Sequence, residues 1–249
     1  MCANSVSERR RSRPVTKKST TYKMKRNKPA LILAILIVFM LVFSGFYVIF
    51  NSLTDSNDGE SKYDTVYPVA EIDTSKGLIA VELYTDKAPN TCENFIKLAN
   101  DGFYDGLVFH RVANLDGGAT DTHVIQGGGF DTNRNQKTSP YGPIDLEINN
   151  DLTHVDGAIA MARTSDPDSA TSQFYICDGA QHFLDDSYRQ ANYGDRGYAV
   201  FGKVISGMSV VREIAQVQTT TKTFPATGQS VDNWPVDDIV INSINIVND

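Results

Sequence analysis

From Tyr67 onward, apolar and polar residues alternate in short runs separated by Gly, Asp and Asn. Val69-Ala-Glu-Ile-Asp-Thr74 and Leu78-Ile-Ala-Val-Glu-Leu-Tyr84, joined by Ser75-Lys-Gly77, predict a β-hairpin. Further short strands are expected at 108–112, 124–126, 159–163, 173–177 and 199–204, with a last one at 238–247. Two segments carry helical spacing instead. Phe95, Leu98 and Ala99 share a face of 91–100, with Asn90 or Thr91 as the cap and Gly102 as the stop. Val210, Val211, Ile214 and Ala215 do the same within 207–217. Many short strands and two helices predict a mainly β domain: a closed antiparallel barrel, because closure removes exposed strand edges. Its length of about 180 residues is enough for one core. Neither an internal repeat nor a second domain is visible.

Ahead of this domain the pattern changes twice. Residues 1–28 hold ten Lys and Arg against the single acid Glu8. Residues 29–50 then run without a charge, dominated by Ile, Leu, Val and Phe. As a helix they would span about 33 Å, enough for a bilayer core of about 30 Å. The expectation is a basic cytoplasmic tail (1–28), a transmembrane signal-anchor (29–50), a polar linker (51–65) and an extracytoplasmic domain (66–249). A cleaved signal peptide is the alternative, with Ser44 and Gly45 small enough for a peptidase, but the apolar run exceeds the usual h-region and continues past them. The formal net charge of −7 averages this basic tail with an acidic remainder. A positive-inside flank explains the tail, so no nucleic-acid partner is expected. Of three cysteines, Cys2 falls on the cytoplasmic side, and Cys92 and Cys177 are expected as buried free thiols.

The candidate chemistry lies in three strands. Phe109-His110-Arg111-Val112, Val124-Ile125-Gln126-Gly127-Gly128-Gly129-Phe130 and Ser172-Gln173-Phe174-Tyr175-Ile176 supply one arginine, two glutamines and several apolar side chains. Residues two apart on a strand share a side, which pairs Phe109 with Arg111, Val124 with Gln126 and Gln173 with Tyr175. On the same parity Phe174 and Ile176 face the core, and His110 points away from Arg111 as a structural histidine. No nucleophile–base pair or metal-ligand cluster accompanies them; His154 and His182 lack partners at metal spacing. The set suits chemistry in which no covalent bond is made.

These motifs, with Met161-Ala-Arg-Thr-Ser-Asp-Pro-Asp-Ser-Ala-Thr-Ser-Gln-Phe-Tyr-Ile176 and Tyr198-Ala-Val-Phe-Gly-Lys-Val204, resemble the cyclophilin family of peptidyl-prolyl isomerases. The long middle block looks more like the bacterial branch, and the resemblance covers residues 67–247. It implies an eight-stranded antiparallel barrel capped by two helices, with a substrate groove on its outer wall and no cofactor or metal. Arg111 looks like the catalytic arginine and Gln126 like the glutamine that steadies it. Gln173 would contact substrate or orient Arg111. Val124, Tyr175, Phe183 and Leu184 would form the proline pocket and its wall. Backbone groups around Ala162 and Arg163 would hold the peptide, and Tyr198 stands where bacterial members carry tyrosine.

Two stretches depart from the family. Residues 113–122 make the connection after the arginine strand about seven residues longer, and leave His123 where an aromatic packs on proline. Residues 185–196 form a second insertion, able either to grip an extended chain or to cover barrel wall. Phe183 replaces the tryptophan of drug-sensitive members, so weak cyclosporin binding is expected. The reading is an anchored, monomeric isomerase acting on proline-containing segments of exported polypeptides. The alternative is a proline-peptide binding module or chaperone with little turnover.

Overall fold

Alternation along the chain closes a sheet. In the computed structural model, residues 62–115 and 122–248 are described. Eight strands, β1 (Val69–Thr74), β2 (Gly77–Leu83), β3 (Leu107–Ala113), β4 (His123–Asp131), β5 (Ala158–Met161), β6 (Phe174–Asp178), β7 (Val200–Ser206) and β10 (Ile239–Val247), pair antiparallel in a closed barrel of order β1-β10-β3-β4-β6-β5-β7-β2. The expected tail, the apolar segment 29–50 and most of the linker lie outside the described residues. Among the described residues no helix is long and apolar enough to cross a membrane.

One side of each strand fills the barrel. Ile72, Ile79, Val81, Leu83, Phe109, Ile125, Ile159, Phe174, Ile176, Phe201 and Ile241 form a single buried cluster. Two helices turn apolar faces into it: α1 (Pro89–Asn100) through Cys92, Phe95 and Leu98, and α3 (Met208–Ala215) through Val211, Ile214 and Ala215. Phe95 packs edge-on against Phe174 with centroids 5.4 Å apart and is tilted against Phe201 at 5.3 Å, which ties α1 to β6 and β7. Cys92 and Cys177 are free and buried, and burial pushes the Cys92 thiol up to about 12.

The cap of α1 departs from expectation. Neither Asn90 nor Thr91 caps it; Ala88 holds that position with Pro89 inside the first turn. The orphan amides are met by Glu147, whose Oε2 accepts from Thr91 N at 2.9 Å and whose Oε1 accepts from Asn90 N at 3.3 Å. At the other end Gly102 (φ 64°) turns the chain away, as its position predicts.

The two-helix expectation also needs correcting, because the second insertion contains a third helix, α2 (Asp186–Tyr193). Its sequence has no apolar stripe, so periodicity does not reveal it. Gly194 ends it in the left-handed region (φ 63°). A further two-stranded sheet, β8 (Thr219–Thr223) with β9 (Ser230–Pro235), stands outside the barrel and matches no sequence expectation. It carries Trp234, buried against His110 and Phe130.

Candidate active site

The outward side of β4, β5, β6 and β7 is a second apolar cluster: Val124, Ala158, Ala160, Tyr175, Cys177 and Val200, joined by Ala113 and Leu184. It forms the bed of a cavity of about 180 Å³ lined by Arg111, Leu115, Val124, Gln126, Ala162, Arg163, Tyr175, Leu184 and Tyr198. Eight expected site residues therefore meet around one hollow.

Arg111 reaches it through an irregularity. Phe109 pairs with Gly127 while Arg111 pairs with Gln126, so β3 carries one more residue than β4 between those pairs. Such a bulge reverses the alternation. Phe109 consequently packs in the core and Arg111 stands outside, rather than the two sharing a side. His110, the extra residue, is buried between Phe130 (centroids 4.8 Å) and Trp234 (5.8 Å). Burial lowers its pKa to about 4, and the Arg111 charge adds to this.

Arg111 is half-buried, and burial lowers its pKa from the usual value. One of its terminal nitrogens donates to Gln126 Oε1 at 3.4 Å, and among the described residues no carboxylate forms a salt bridge with it. Gln126 in turn donates through Nε2 to Gln173 Oε1 at 3.0 Å. Gln173 precedes β6 rather than belonging to it, and its amide lies across β4. It fits only because residue 129 is glycine: a Cβ there would fall 2.6 Å from the Gln173 amide carbon. Gln173 lines a neighbouring hollow of about 290 Å³, with Gln126, Ala162, Arg163 and Thr171, and not the first cavity.

The wall opposite is built from rings and guanidinium planes. Tyr198 stands edge-on to Tyr175 with centroids 6.0 Å apart, and lies between Arg163 (4.6 Å) and Arg189 (5.5 Å). The Arg163 side chain is 2% exposed and its donors are engaged: Nε on Gly197 O at 3.1 Å, one terminal nitrogen on Thr164 O at 2.8 Å, the other on Arg196 O. It fastens the α2 insertion to the barrel. The insertion is also held from within, Asp186 accepting from Arg196 Nε at 2.8 Å and Gly197 N at 2.7 Å. The Ala162 amide, expected to serve a peptide, already donates to Gln173 O at 2.9 Å.

Two expected residues stand apart from both hollows. His123 begins β4 opposite Asp178; its Nδ1 is buried with no hydrogen-bond partner among the described residues. Phe183 lies in a short turn and packs, partly buried, against the outer cluster. Leu115 takes a place on the cavity wall that sequence reasoning did not assign. The only signal for it was a lone apolar residue in a polar insertion. Among the described residues no cluster of His, Cys, Asp or Glu could hold a metal ion.

Comparisons with known proteins identify the family of the barrel. A family model described as cyclophilin type peptidyl-prolyl cis-trans isomerase/CLD matches residues 69–246. A peptidyl-prolyl cis-trans isomerase of Acinetobacter baylyi is 46% identical over 153 residues, 61% of this chain and 74% of that protein. Peptidyl-prolyl cis-trans isomerase B of Escherichia coli is 38% identical over 175 residues, 70% of this chain and 96% of its own length. A crystal structure of a Cryptosporidium parvum cyclophilin type isomerase, in the presence of the dipeptide Ala-Pro, superimposes with a TM-score of 0.56. It is 26% identical, over 72% of this chain and 98% of that one. With the family model spanning the whole barrel and the arginine and glutamines gathered on its outer wall, the chain belongs to the cyclophilin-type peptidyl-prolyl cis-trans isomerases.

Proposed function

We propose that this isomerase acts through Arg111, which donates to the prolyl nitrogen while Val124, Leu115, Tyr175 and Leu184 receive the proline ring. The carrying observation is a half-buried guanidinium at the edge of an apolar hollow, held by Gln126 and with no salt bridge to a carboxylate among the described residues. Rotation about an X–Pro bond is slow because the nitrogen lone pair is delocalised into the carbonyl, leaving a barrier of about 18–20 kcal/mol. In the twisted state the lone pair returns to nitrogen, which becomes an acceptor. A donor aimed there stabilises that state alone, and differential stabilisation is what accelerates a reaction. Arginine suits the task because it stays charged and presents its donors in a rigid plane. An acceleration of about 10⁵ requires about 7 kcal/mol in the twisted state. Gln126 and Gln173, bonded in series behind Arg111, limit its rotamers before substrate arrives.

The setting proposed for this reaction is the outer face of a cytoplasmic membrane, with residues 29–50 as anchor and exported polypeptides as substrates. The uncharged length of that segment and its basic flank support the reading. Uncatalysed isomerisation takes tens to hundreds of seconds, slow enough to limit folding of newly exported chains.

The test is cis–trans exchange of a short Ala-Pro peptide, measured by NMR with the full chain in detergent at neutral pH. Acceleration by the unaltered chain should fall at least about 100-fold in Arg111→Ala, a loss of roughly 3 kcal/mol of transition-state stabilisation. If neither protein accelerates exchange while both shift the peptide resonances, the groove is a binding module and the Arg111 mechanism fails.

A further inference from the structure

The wall of the prolyl cavity contains a hydroxyl at a place where the family resemblance predicts only apolar packing, and that hydroxyl is engaged from behind. Tyr175 Oη lies 2.8 Å from His154 Nε2, the two ring planes being nearly parallel at 9°. His154 Nδ1 lies 2.6 Å from Asp185 Oδ1, which also accepts from the His154 backbone amide at 2.8 Å. The other oxygen, Asp185 Oδ2, lies 2.9 Å from His182 Nδ1. His154 is 1% exposed. The order carboxylate, imidazole, hydroxyl is that of a nucleophilic triad, but Tyr175 is itself buried and burial raises its phenol well above the ordinary value. A hydroxyl so placed holds a position; it does not attack.

The direction of the relay follows from donor inventories. Burial works against the Asp185 carboxylate, but bonds from His154 and His182 hold its pKa below the ordinary value, so it only accepts. Nδ1 of His154 must then carry a proton. Burial keeps the imidazole from taking a second, against the pull of Asp185. Nε2 is left as an acceptor, and Tyr175 donates to it. A ring held at its far end in this way cannot swing out of the wall. Asp185 immediately follows Leu184, another cavity residue, and immediately precedes α2, so one carboxylate fixes the imidazole and the root of the insertion together.

We propose that His154 is a positioning residue for the isomerase reaction: it anchors the Tyr175 ring as the fixed wall of the prolyl cavity, in a tautomer set by Asp185. The inference rests on the reading of this cavity as the proline site. Because the ring contacts proline in both cis and trans forms, loosening it weakens binding uniformly and leaves the twisted state's stabilisation by Arg111 intact.

The test uses the full chain in detergent with the Ala-Pro peptide, reading KM and kcat from exchange and affinity from resonance shifts. His154→Ala should raise KM about five- to tenfold with kcat within about twofold. Tyr175→Phe, which keeps the ring and the barrel, should raise KM about threefold, and His154→Gln, whose amide can reach the hydroxyl, should recover most of the His154→Ala loss. Nitrogen-15 spectra of the unaltered chain should show His154 protonated at Nδ1 and bare at Nε2. The opposite tautomer overturns the proposal. So does an unchanged KM in Tyr175→Phe, which decides the matter even if His154→Ala fails to fold. A fall in kcat at constant KM also overturns it. If the unaltered chain shows no turnover, that outcome counts against the Arg111 mechanism alone, because peptide affinity still reports on His154.

Discussion

Two buried histidines stand on the outer side of this barrel, and they are held in opposite ways. His154 has both ring nitrogens engaged, one by Asp185 and one by Tyr175, and its network ends at the cavity. His110 sits in the bulge of β3 against Phe130 and Trp234, which pack in turn on Phe224, with Nδ1 lacking a partner among the described residues. The first arrangement fixes a ring in the site. The second fills space behind Arg111 with aromatic surface, and keeps the histidine neutral by excluding water. A charge-bearing side chain can thus serve as a polar strut or as packing, and the partners within reach decide which.

The aromatic packing around His110 depends most on Trp234. It is fully buried, and its indole donates to Asp238 at 2.9 Å. Trp234→Ala should cost about 3–5 kcal/mol of stability by removing the wall of the His110 cluster. At a temperature where the variant remains folded, kcat/KM should stay within about threefold. Urea unfolding followed by circular dichroism, with activity measured alongside, checks both halves. A proportionate loss of activity would show that the aromatic cluster controls the site.

A second test uses pH. The pKa of His110 is about 4 in the folded state and 6.5 in a model peptide. The folded state therefore binds fewer protons than the unfolded one below pH 6.5. The stabilisation from a neutral His110 is complete above that value and is lost as pH falls toward 4. The loss amounts to about 3 kcal/mol at about 1.36 kcal/mol per pKa unit. Trp234, the single tryptophan, lies beside the group and reports its environment. The urea midpoint at pH 4.5 should fall well below that at pH 6.5, and His110→Leu should remove its own part of the difference, the buried His154 contributing in the same direction.

A smaller effect is expected at Gly129, beneath the Gln173 amide. Gly129→Ala places a methyl where the Gln173 amide lies, so Gln173 must move and its bond to Gln126 is lost. A loss of about tenfold in kcat/KM, roughly 1.4 kcal/mol, is expected with little change in urea midpoint. Unchanged activity would remove Gln173 from the support of Arg111.

The strands and their parity were legible where pairing is regular. Val124 with Gln126, and Phe174 with Ile176, face the sides that alternation predicts, because side-chain direction is a local property of an extended chain. The same rule failed at Phe109 and Arg111, since a bulge belongs to the pairing of two strands and leaves no mark in one of them. The site followed this division. Arg111, Gln126, Val124, Ala162, Arg163, Tyr175, Leu184 and Tyr198 converge on one cavity. Leu115 takes a place on its wall, while His123 at the far end of the same insertion remains against Asp178. Loop path decided that, and loop path is not periodic.

By itself the chain determined a closed β-barrel, the motifs of its family and the residue types that the proposed chemistry would use, because period-two alternation and short motifs are local. Only the tertiary structure decided that Glu147 caps α1 from 56 residues away, that polar residues 186–193 form a helix fastened by Arg163, and that Asp185 and His154 stand behind Tyr175. Each is a contact between groups far apart in sequence. The free energy of such a contact depends on shared burial and mutual geometry, which neither partner carries alone.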